Sequence, residues 1–369
     1  MSKRDSNKIS SYEKLLKKKE HIYKKGAKPI IGIDIGSNYI KIVKMKSGNK
    51  IAQLGIEQLP EGVVTQGRIE AQDFLIDIIK NILKENRITG KDCAVCISGN
   101  EIVVRELTIP DMDENQIENN IRDEMVSFIP LKYEDYSVDY KIIEYIKGKD
   151  NASGKLKLLV AAVPRRQART YVDTLKKAGL RVRYIDIVPN IASKLARGVM
   201  YASAREENRD IAIIDFGAQT TNITVTHQGD YSLHKTIETG GDYLTATIAE
   251  KAGMNENQAE EYKCNSNFFA NNSDPLSQHV QNYFEFHLKD IQRILEFFKN
   301  RNNNKGISQI YIMGGGSALR GLPGYLEKQL GVNVFLLSEA LELFRGSRNQ
   351  TKYLGVLFNA IGATMREDG

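Results

Sequence analysis

One pattern occurs twice in this chain of 369 residues, and it constrains the fold more than any other feature. A β-branched run leads into Asp34-Ile-Gly36 and then into a second β-branched run, and the same series begins again at Asp215-Phe-Gly217. The shift of 181 residues that superposes the two aspartates also superposes the hairpin glycines Gly48 and Gly229. Because the shift is about half of the chain length, it predicts two duplicated α/β lobes that face each other across a cleft.

The charge of the chain is concentrated at one end. The formal net charge is +6, but residues 1–28 alone carry ten Lys or Arg against three Asp or Glu, so the remainder is close to neutral. Nucleic-acid-binding domains carry their basic excess on the folded body, so this distribution disfavours DNA or RNA binding. We expect the basic tail 1–28 to be solvated, with contact to anionic lipid at the membrane surface as the alternative.

Three further features exclude other classes of protein. The apolar stretches, such as 158–164, are far shorter than the roughly 20 residues of a membrane-spanning helix. We expect no secretory signal, because the N-terminal segment is lysine-rich and has no apolar core. Three cysteines are too few for a disulfide framework, which fits a reducing cytoplasm.

The glycine turn of the first lobe has the composition of a phosphate-binding loop. A strand followed by such a turn presents consecutive backbone N–H groups, which bind phosphate oxygens. Gly36 permits close approach, Ser37 adds a hydroxyl, and Lys41 on the outgoing strand brings a positive charge. Asp34 would hold Mg²⁺ through water, as that ion prefers.

The second lobe repeats this arrangement, and a third glycine run follows it. Asp215 would face the metal, and Gly217, Gln219 and Thr220 the phosphates. Gly314-Gly-Gly316-Ser317 follows a predicted strand, where glycines allow the backbone to lie flat against an adenine or an α-phosphate. The three elements together predict a nucleotide site, although each alone is typical of an ordinary turn.

Other chemical motifs are missing or incomplete. The sequence contains no Walker A motif, no GxGxxG, no GxSxG and no HExxH. Cys93-Ala-Val-Cys96 lies in a predicted strand, where residues three apart point to opposite faces. We therefore interpret the two cysteines as structural, and the five histidines show no ligand spacing.

The two Asp-x-Gly loops and the glycine run resemble the phosphate and adenosine motifs of the actin/Hsp70/sugar-kinase ATPase superfamily, and their order resembles its FtsA-like branch. Gly240-Gly-Asp242 with Glu260 and Lys263 resembles the ribose- and adenine-contacting helix of that branch. Segments 109–131, 158–190 and 353–363 resemble the PilM family of type IV pilus assembly proteins. The resemblance implies an actin-like ATPase fold, with two RNase H-like lobes around a nucleotide cleft and an inserted FtsA-like extra subdomain.

The resemblance also implies boundaries and site residues. We expect a tail at 1–28, a first lobe at 29–104 and 183–209, an inserted subdomain at 105–182, a second lobe at 210–341 with a helical part at about 243–305, and a C-terminal helix within 342–369 that returns to the first lobe. The expected nucleotide-binding residues are Gly36, Ser37, Asn38, Tyr39, Lys41, Gly217, Gln219, Thr220, Gly240, Gly241, Glu260, Lys263, Gly314, Gly315, Gly316 and Ser317, with Asp34 and Asp215 at the metal.

The implied function is that of a cytoplasmic, Mg²⁺- and ATP-binding scaffold of the pilus inner-membrane platform. In this family the cytoplasmic N-terminal peptide of PilN, a membrane protein, lies in a groove that involves the extra subdomain, here 105–182. The resemblance also implies contacts with other platform proteins and a peripheral position at the inner face of the membrane through the partner.

One segment departs from the superfamily pattern. Actin-like ATPases that hydrolyse ATP well carry a Gln or an acidic residue in the first connecting helix, whereas Pro189 stands near that position here. Asp186 and Asn190 are the weak candidates for a catalytic residue. We expect ATP binding with slow or absent hydrolysis. The alternatives are a membrane-associated, polymer-forming homologue of the FtsA type and a small-molecule kinase.

Overall fold

A computed structural model describes residues 30–46, 50–130, 132–148, 154–202, 210–270, 274–341 and 353–365. The predicted basic tail 1–28 and the hairpin glycine Gly48 lie outside the described residues. Within these ranges no helix is both long enough and apolar enough to cross a bilayer.

Two five-stranded sheets form the two lobes. The first has the order β10-β6-β1-β2-β3, and its strands are β1 (Ile31–Ile35), β2 (Tyr39–Met45), β3 (Ile51–Gln58), β6 (Asp92–Ile97) and β10 (Arg181–Ile187). The second has the order β13-β12-β11-β14-β15, and its strands are β11 (Ile211–Phe216), β12 (Thr221–His227), β13 (Asp230–Ile237), β14 (Gln309–Met313) and β15 (Val334–Leu336). In each sheet the strand that ends in Asp-x-Gly has an antiparallel neighbour on one side and a parallel neighbour on the other. The duplicated α/β architecture predicted from the sequence is therefore confirmed.

Helices cover both faces of each sheet. Between the sheets lie α4 (Val188–Ala202) and α10 (Leu354–Thr364), whose apolar side chains share one core with residues of both sheets. The outer face of the first sheet is covered by α1 (Gln72–Glu85) and α3 (Arg165–Lys177). The outer face of the second packs against α5 (Gly241–Ala252), α6 (Glu256–Asn265), α7 (Pro275–Arg301) and α8 (Leu322–Leu330), and the short α9 (Leu337–Ala340) follows β15.

Two glycines bring α10 close to its neighbours. A Cβ at Gly32 of β1 would lie 2.0 Å from the carbonyl oxygen of Ala360, and one at Gly362 would lie 2.4 Å from Ile191 of α4. Both distances are shorter than real Cβ contacts, so neither position has room for a side chain. The central layer is therefore tightly packed, and α10 lies directly against the strand that leads into the first Asp-x-Gly loop.

A third, smaller sheet lies in the middle of the chain. It consists of β7 (Val103–Pro110), β8 (Tyr136–Ile146) and β9 (Lys155–Pro164) in the order β7-β9-β8, and α2 (Glu114–Met125) packs on it. The predicted N-cap Asp113 and its partner Gln116 form a capping box at the start of α2, as expected. The three-stranded sheet ends at Pro164, whereas the insertion was expected to continue to 182. The reason is that Tyr171 and Leu175 of α3 pack into the core of the first lobe and β10 pairs with β6.

The two cysteines of the CxxC motif lie in β6, and both are buried. Cys93 belongs to the core on the outer face of the first sheet, and Cys96 belongs to the core between the lobes. They therefore point to opposite faces, as the strand periodicity predicts. A short hairpin of β4 (Val64–Thr65) and β5 (Arg68–Ile69) completes the first lobe.

Candidate functional site: the cleft between the lobes

The two Asp-x-Gly loops have the same backbone geometry. In the first loop the N–H of Gly36 donates to the carbonyl oxygen of Tyr39, and in the second the N–H of Gly217 donates to that of Thr220, both at 3.0 Å. The strand registers agree as well, because Asp34 lies opposite Lys41 and Asp215 lies opposite Asn222. The duplication therefore extends from the sequence to individual hydrogen bonds.

The first aspartate is paired with the lysine of its own loop. The Nζ of Lys41 lies 3.0 Å from Oδ2 of Asp34, and their side chains are only 16% and 12% exposed. A cross-strand pair of opposite charges in a partly buried site interacts more strongly than an exposed pair. Lys41 thus carries its positive charge at the mouth of the loop, where the sequence predicts phosphate oxygens.

The second aspartate is held by a neutral amide from the C-terminal helix. Nδ2 of Asn359 donates to Oδ2 of Asp215 at 2.9 Å. Burial raises the pKa of Asp215, and the negative charge of Asp34 raises it further. The hydrogen bond from Asn359 lowers the pKa but does not cancel the rise. The two carboxylates are therefore close enough to interact, which is the arrangement that a single Mg²⁺ would neutralise.

The third glycine run passes over the second aspartate. Gly314 has a φ of +85°, and a Cβ there would lie 2.3 Å from Oδ1 of Asp215. Gly316 packs against Phe216, and the buried Ser317 donates its hydroxyl to the carbonyl oxygen of Gly314 at 2.7 Å. A Cβ at Gly315 would meet nothing within 4 Å, so Gly315 is the glycine of this run that borders open space.

Hydrogen bonds cross the cleft beside the two loops. Oε1 of Gln219 accepts from the hydroxyl of Ser37 and from the backbone N–H of Gln66, each at 2.9 Å. Nδ2 of Asn38 donates to Oδ1 of Asp242 at 2.6 Å. The predicted residues of the first loop therefore lie against those of the second loop.

The helical part of the second lobe contributes a further polar cluster. Lys263 of α6 is buried, and its Nζ donates to Oγ1 of Thr245 at 2.7 Å and lies 2.5 Å from Oε2 of Glu260. Burial raises the pKa of Glu260, but hydrogen bonds from Lys263 and Thr245 outweigh it, so the pKa lies below its usual range. The cluster joins the loop at Gly240 and Gly241, because Lys263 also donates to the carbonyl oxygen of Gly241 at 3.2 Å.

The first lobe reaches this cluster through Tyr39. Burial raises the pKa of Tyr39, and the negative charge of Glu260 raises it further. The ring is 43% exposed and lies at the rim of the cleft. The structure therefore brings the predicted residues from 34 to 41 near those from 215 to 220, 240 to 263 and 314 to 317.

The donor set fits a nucleotide with Mg²⁺. Lys41, Ser37 and the loop N–H groups are phosphate donors, and Asp34 and Asp215 are the oxygen ligands that Mg²⁺ accepts, directly or through water. The Oδ1 atom of Asn359 is buried and has no hydrogen-bond partner in the described chain, so it would offer an acceptor to a water on that ion. The described residues contain no group of three His, Cys, Asp or Glu side chains arranged as a metal site.

The two weak catalytic candidates have other contacts. Oδ2 of Asp186 lies 2.5 Å from Nζ of Lys194, and its Oδ1 accepts from Nδ2 of Asn190 at 2.8 Å. Lys194 also donates to the carbonyl oxygens of Gly362 and Met365 at the end of α10. These buried contacts tie α4 to α10, and they favour a structural role for Asp186 over the positioning of water.

Three residues at the cleft were not predicted. Asn359, Gln66 and Thr245 each donate to or accept from a predicted residue or its loop. Asn359 had a signal in the sequence, since it is the one Asn in the otherwise apolar or small stretch 354–363. The sequence signal for Gln66 is weaker. It is that Gln-Gly, unlike Asn-Gly or Asp-Gly, is an uncommon pair in a two-residue hairpin turn.

The comparisons with known proteins agree with this architecture. The family model described as "Type IV pilus assembly protein PilM" matches residues 32–367. The cell division protein FtsA of Streptococcus pneumoniae serotype 2 (strain D39) is 23% identical over 258 residues, which cover 63% of this chain and 55% of that protein. The chain thus spans little more than half the length of the curated relatives that it matches.

Solved structures show the same fold. A PilM-PilN type IV pilus biogenesis complex matches with a TM-score of 0.79 and 21% identity, over 92% of this chain and 98% of that chain. MreB5 of Spiroplasma citri bound to AMPPNP matches with a TM-score of 0.50 and 13% identity, over 86% of this chain and 93% of that chain. The actin-like ATPase fold predicted from the loops is therefore confirmed.

Proposed function

The chain belongs to the PilM family of type IV pilus assembly proteins, and from that premise we propose that it is an ATP-binding scaffold of the pilus inner-membrane platform. Its partner in this proposal is the cytoplasmic N-terminal peptide of a PilN-like membrane protein. The observation that carries the proposal is a pair of loops with the same backbone hydrogen bond, each with an aspartate and a glycine turn, that meet across one cleft.

The loops would share the phosphates between them. Lys41 supplies positive charge from the first lobe, and Ser37 and Gln219, already hydrogen bonded across the cleft, supply donors from the two sides. Asp34 and Asp215 would hold the metal, with Asn359 fixing the orientation of Asp215. Mg²⁺-ATP, when bound, supplies the charge that draws both lobes to one ligand. Lys263 and Glu260 would line the nucleoside end, next to Gly240 and Gly241.

We propose that hydrolysis is slow. Rapid phosphoryl transfer to water needs a group that positions the attacking molecule. The carboxylate of Asp186 is instead surrounded by Lys194, Asn190 and the backbone N–H of Ile187. A turnover far below about 1 s⁻¹, the low end of typical enzymes, is the expected result.

A cavity at the junction of the third sheet and the first lobe is our proposed peptide site. Its volume is about 820 Å³, and it is lined by residues of β5, α3 and the segment before β8. Four arginines (Arg68, Arg165, Arg166 and Arg169) and four acidic residues (Glu70, Glu101, Asp135 and Asp173) surround it. Such a mixed lining suits a peptide, whose backbone and side chains offer both donors and acceptors. The solved relative described as a PilM-PilN complex supports a partner of this type.

The peptide site can be tested by binding measurements. A fluorescent peptide with the N-terminal cytoplasmic sequence of the PilN homologue from the same organism would be titrated with the wild-type protein and followed by anisotropy. Reversing the charge of Arg166 and Arg169 to Glu is expected to weaken binding by at least about tenfold, because two exposed cations of the lining become anions. The double variant Lys289→Glu with Arg293→Glu, which reverses two charges on the exposed face of α7, serves as the control. Equal affinity of all three proteins would refute this location.

The similarity to FtsA favours one second candidate, a polymer-forming homologue at the membrane. Sedimentation with Mg²⁺-ATP distinguishes the two functions, since a filament-forming protein would enter the pellet and a scaffold would remain in the supernatant.

A further inference from the structure

We propose that the two-residue turn Gln66–Gly67 links the nucleotide cleft to the arginine-lined cavity, so that a bound nucleoside triphosphate strengthens peptide binding. The inference rests on the proposed function, since it concerns the same two sites. Its evidence is a short series of hydrogen bonds that passes through this turn.

The turn is rigid and tightly packed. It joins β4 to β5, and both of its residues have positive φ, +49° for Gln66 and +76° for Gly67. A non-glycine residue rarely adopts such a φ unless the surrounding structure imposes it. A Cβ at Gly67 would lie 1.9 Å from the carbonyl oxygen of Ser98, so the turn lies directly on the end of β6.

One side of the turn faces the cleft. The backbone N–H of Gln66 and the hydroxyl of Ser37 donate to the same oxygen, Oε1 of Gln219. This oxygen belongs to the second lobe and both donors belong to the first. The turn therefore lies beside the two phosphate loops and takes part in the contact that closes them.

The other side of the turn is held by α3. The carbonyl oxygen of Gly67 accepts from Nε2 of Gln167 at 2.8 Å and from the hydroxyl of Tyr171 at 2.9 Å. Gln167 also donates to the carbonyl oxygen of Ser98 at 2.8 Å, so it joins the turn to the end of β6. Gln167 is 8% exposed and Tyr171 is 0% exposed, so these bonds are shielded from water.

The same helix segment forms a wall of the cavity. Five residues of α3 border the cavity. They are the two that hold the turn, Gln167 and Tyr171, and their neighbours Arg166, Arg169 and Thr170. A displacement of the turn would therefore change the position of the helix segment that carries the arginines. No other segment is needed between the two sites.

The direction of the coupling follows from hydrogen-bond strength. A phosphate oxygen between the loops is charged and is a stronger acceptor than the amide oxygen of Gln219. Ser37 and the N–H of Gln66 would transfer to it, and a triphosphate, with its additional phosphate, offers more acceptors than a diphosphate. The turn would then be held more strongly on its cleft side, and through Gly67 so would α3, so that the peptide would meet a better-arranged cavity.

The test measures the affinity of the PilN-homologue peptide in three states of the full-length protein: without nucleotide, with Mg²⁺-ADP, and with the Mg²⁺ complex of a non-hydrolysable ATP analogue. The expected result is binding about five- to tenfold tighter with the triphosphate analogue than with ADP, at the lower end of the range typical of coupled sites. Reciprocity requires the peptide to tighten binding of the analogue by the same factor.

A conservative variant tests the route. Tyr171→Phe removes the hydroxyl that donates to Gly67, and it leaves a ring of the same shape in the core. The expected result is a coupling factor below about twofold. Tyr325→Phe, a change of the same kind in the distant core of the second lobe, should retain the full factor. Gln167→Leu provides a second variant at the same carbonyl oxygen if Tyr171→Phe fails to fold.

The outcomes separate this inference from the proposed function. Absence of peptide or nucleotide binding by the wild-type protein would refute the proposed function. Binding of both ligands with no mutual effect would overturn the coupling. Coupling that survives both Tyr171→Phe and Gln167→Leu would overturn the route through the turn.

Discussion

The two phosphate loops of this protein have one backbone and two different surroundings. Each has the same N–H to carbonyl hydrogen bond and the same register between its aspartate and the outgoing strand. In the first lobe the residue opposite the aspartate is Lys41, whereas in the second it is Asn222. The first loop therefore supplies charge, and the second is shaped by neutral contacts from Asn359 and Gly314.

The difference shows which features a duplicated unit keeps in both copies and which it does not. The turn and the strand pairing are set by local sequence, so both copies retain them. The side chains that complete each site come from elsewhere: Lys41 from the adjacent strand of its own lobe, and Asn359 from a helix that packs on the other lobe. The two loops should therefore respond differently to equivalent substitutions.

The largest effect is expected from Gly314→Ala. The new Cβ would lie 2.3 Å from Oδ1 of Asp215 and 2.6 Å from the carbonyl oxygen of Phe216, at a φ of +85°. We expect a loss of at least about 3 kcal/mol in the free energy of unfolding, measured with urea. The adjacent Gly315→Ala, whose Cβ would meet nothing within 4 Å, should lose no more than about 1 kcal/mol. Equal losses would contradict the tight packing over the second loop.

Lys41→Met tests the charge of the first loop. Removal of the ammonium group is expected to weaken binding of Mg²⁺-ATP about 100-fold, equivalent to about 3 kcal/mol, because charge-assisted contacts to phosphate are lost. The equivalent change in the second loop, Asn222→Leu, should alter the affinity by less than about fivefold. A fluorescent ATP analogue titrated into both variants measures this, with thermal unfolding as the control for folding. If Asn222→Leu has the larger effect, the proposed division between the loops is wrong.

Asn359→Leu tests the neutral contact of the second loop. It removes a donor to the buried Asp215, and we expect a loss of about 2 kcal/mol in stability. The pKa of Asp215 is already raised, mainly by burial, and should rise further without the amide. A raised carboxyl pKa favours the folded state in acid, and that contribution disappears as the pH rises. The loss of stability of Asn359→Leu relative to the wild-type protein should therefore be larger at neutral pH than near about pH 4. A deficit that does not change with pH would contradict this role.

The smallest effect concerns a polar contact of the second lobe that has no counterpart at the equivalent position of the first. His234 of β13 lies 2.9 Å from Oγ1 of Thr224, whose equivalent in the first lobe is Val43. Burial lowers the pKa of His234 to about 4 from an unperturbed 6.5. The unfolded chain therefore binds more protons in this window, and the contact should lose about 1–2 kcal/mol of stability as the pH falls from 6.5 to near 4.

Amide hydrogen exchange can locate that loss. Protection of β12 and β13 should fall more than that of β2 and β3 when the pH is lowered through this window, after correction for the intrinsic exchange rate. The variant His234→Gln, which does not titrate, should remove the difference between the lobes. Equal loss of protection in both sheets of the wild-type protein would refute the assignment to His234.

Much of this fold could be predicted from the sequence because its main signals are local. The Asp-x-Gly repeats, the alternation of strands and the capping box at Asp113 each involve residues that are close in the chain. The contact of Asn359 with Asp215 joins positions 144 residues apart, and that of Gln167 with Gly67 joins positions 100 apart. No local pattern indicates such contacts. The position of α3 likewise depends on distant contacts, since its residues Tyr171 and Leu175 belong to the core of the first lobe.

The most direct test of the account is to release and identify the nucleotide that co-purifies with the protein, and then to follow added Mg²⁺-ATP over hours. We expect an adenine nucleotide in the cleft and ATP that is retained with little ADP formed, at a turnover far below about 1 s⁻¹. A protein that releases no nucleotide and binds no added Mg²⁺-ATP would contradict the central claim that the two loops and the glycine run form one nucleotide site.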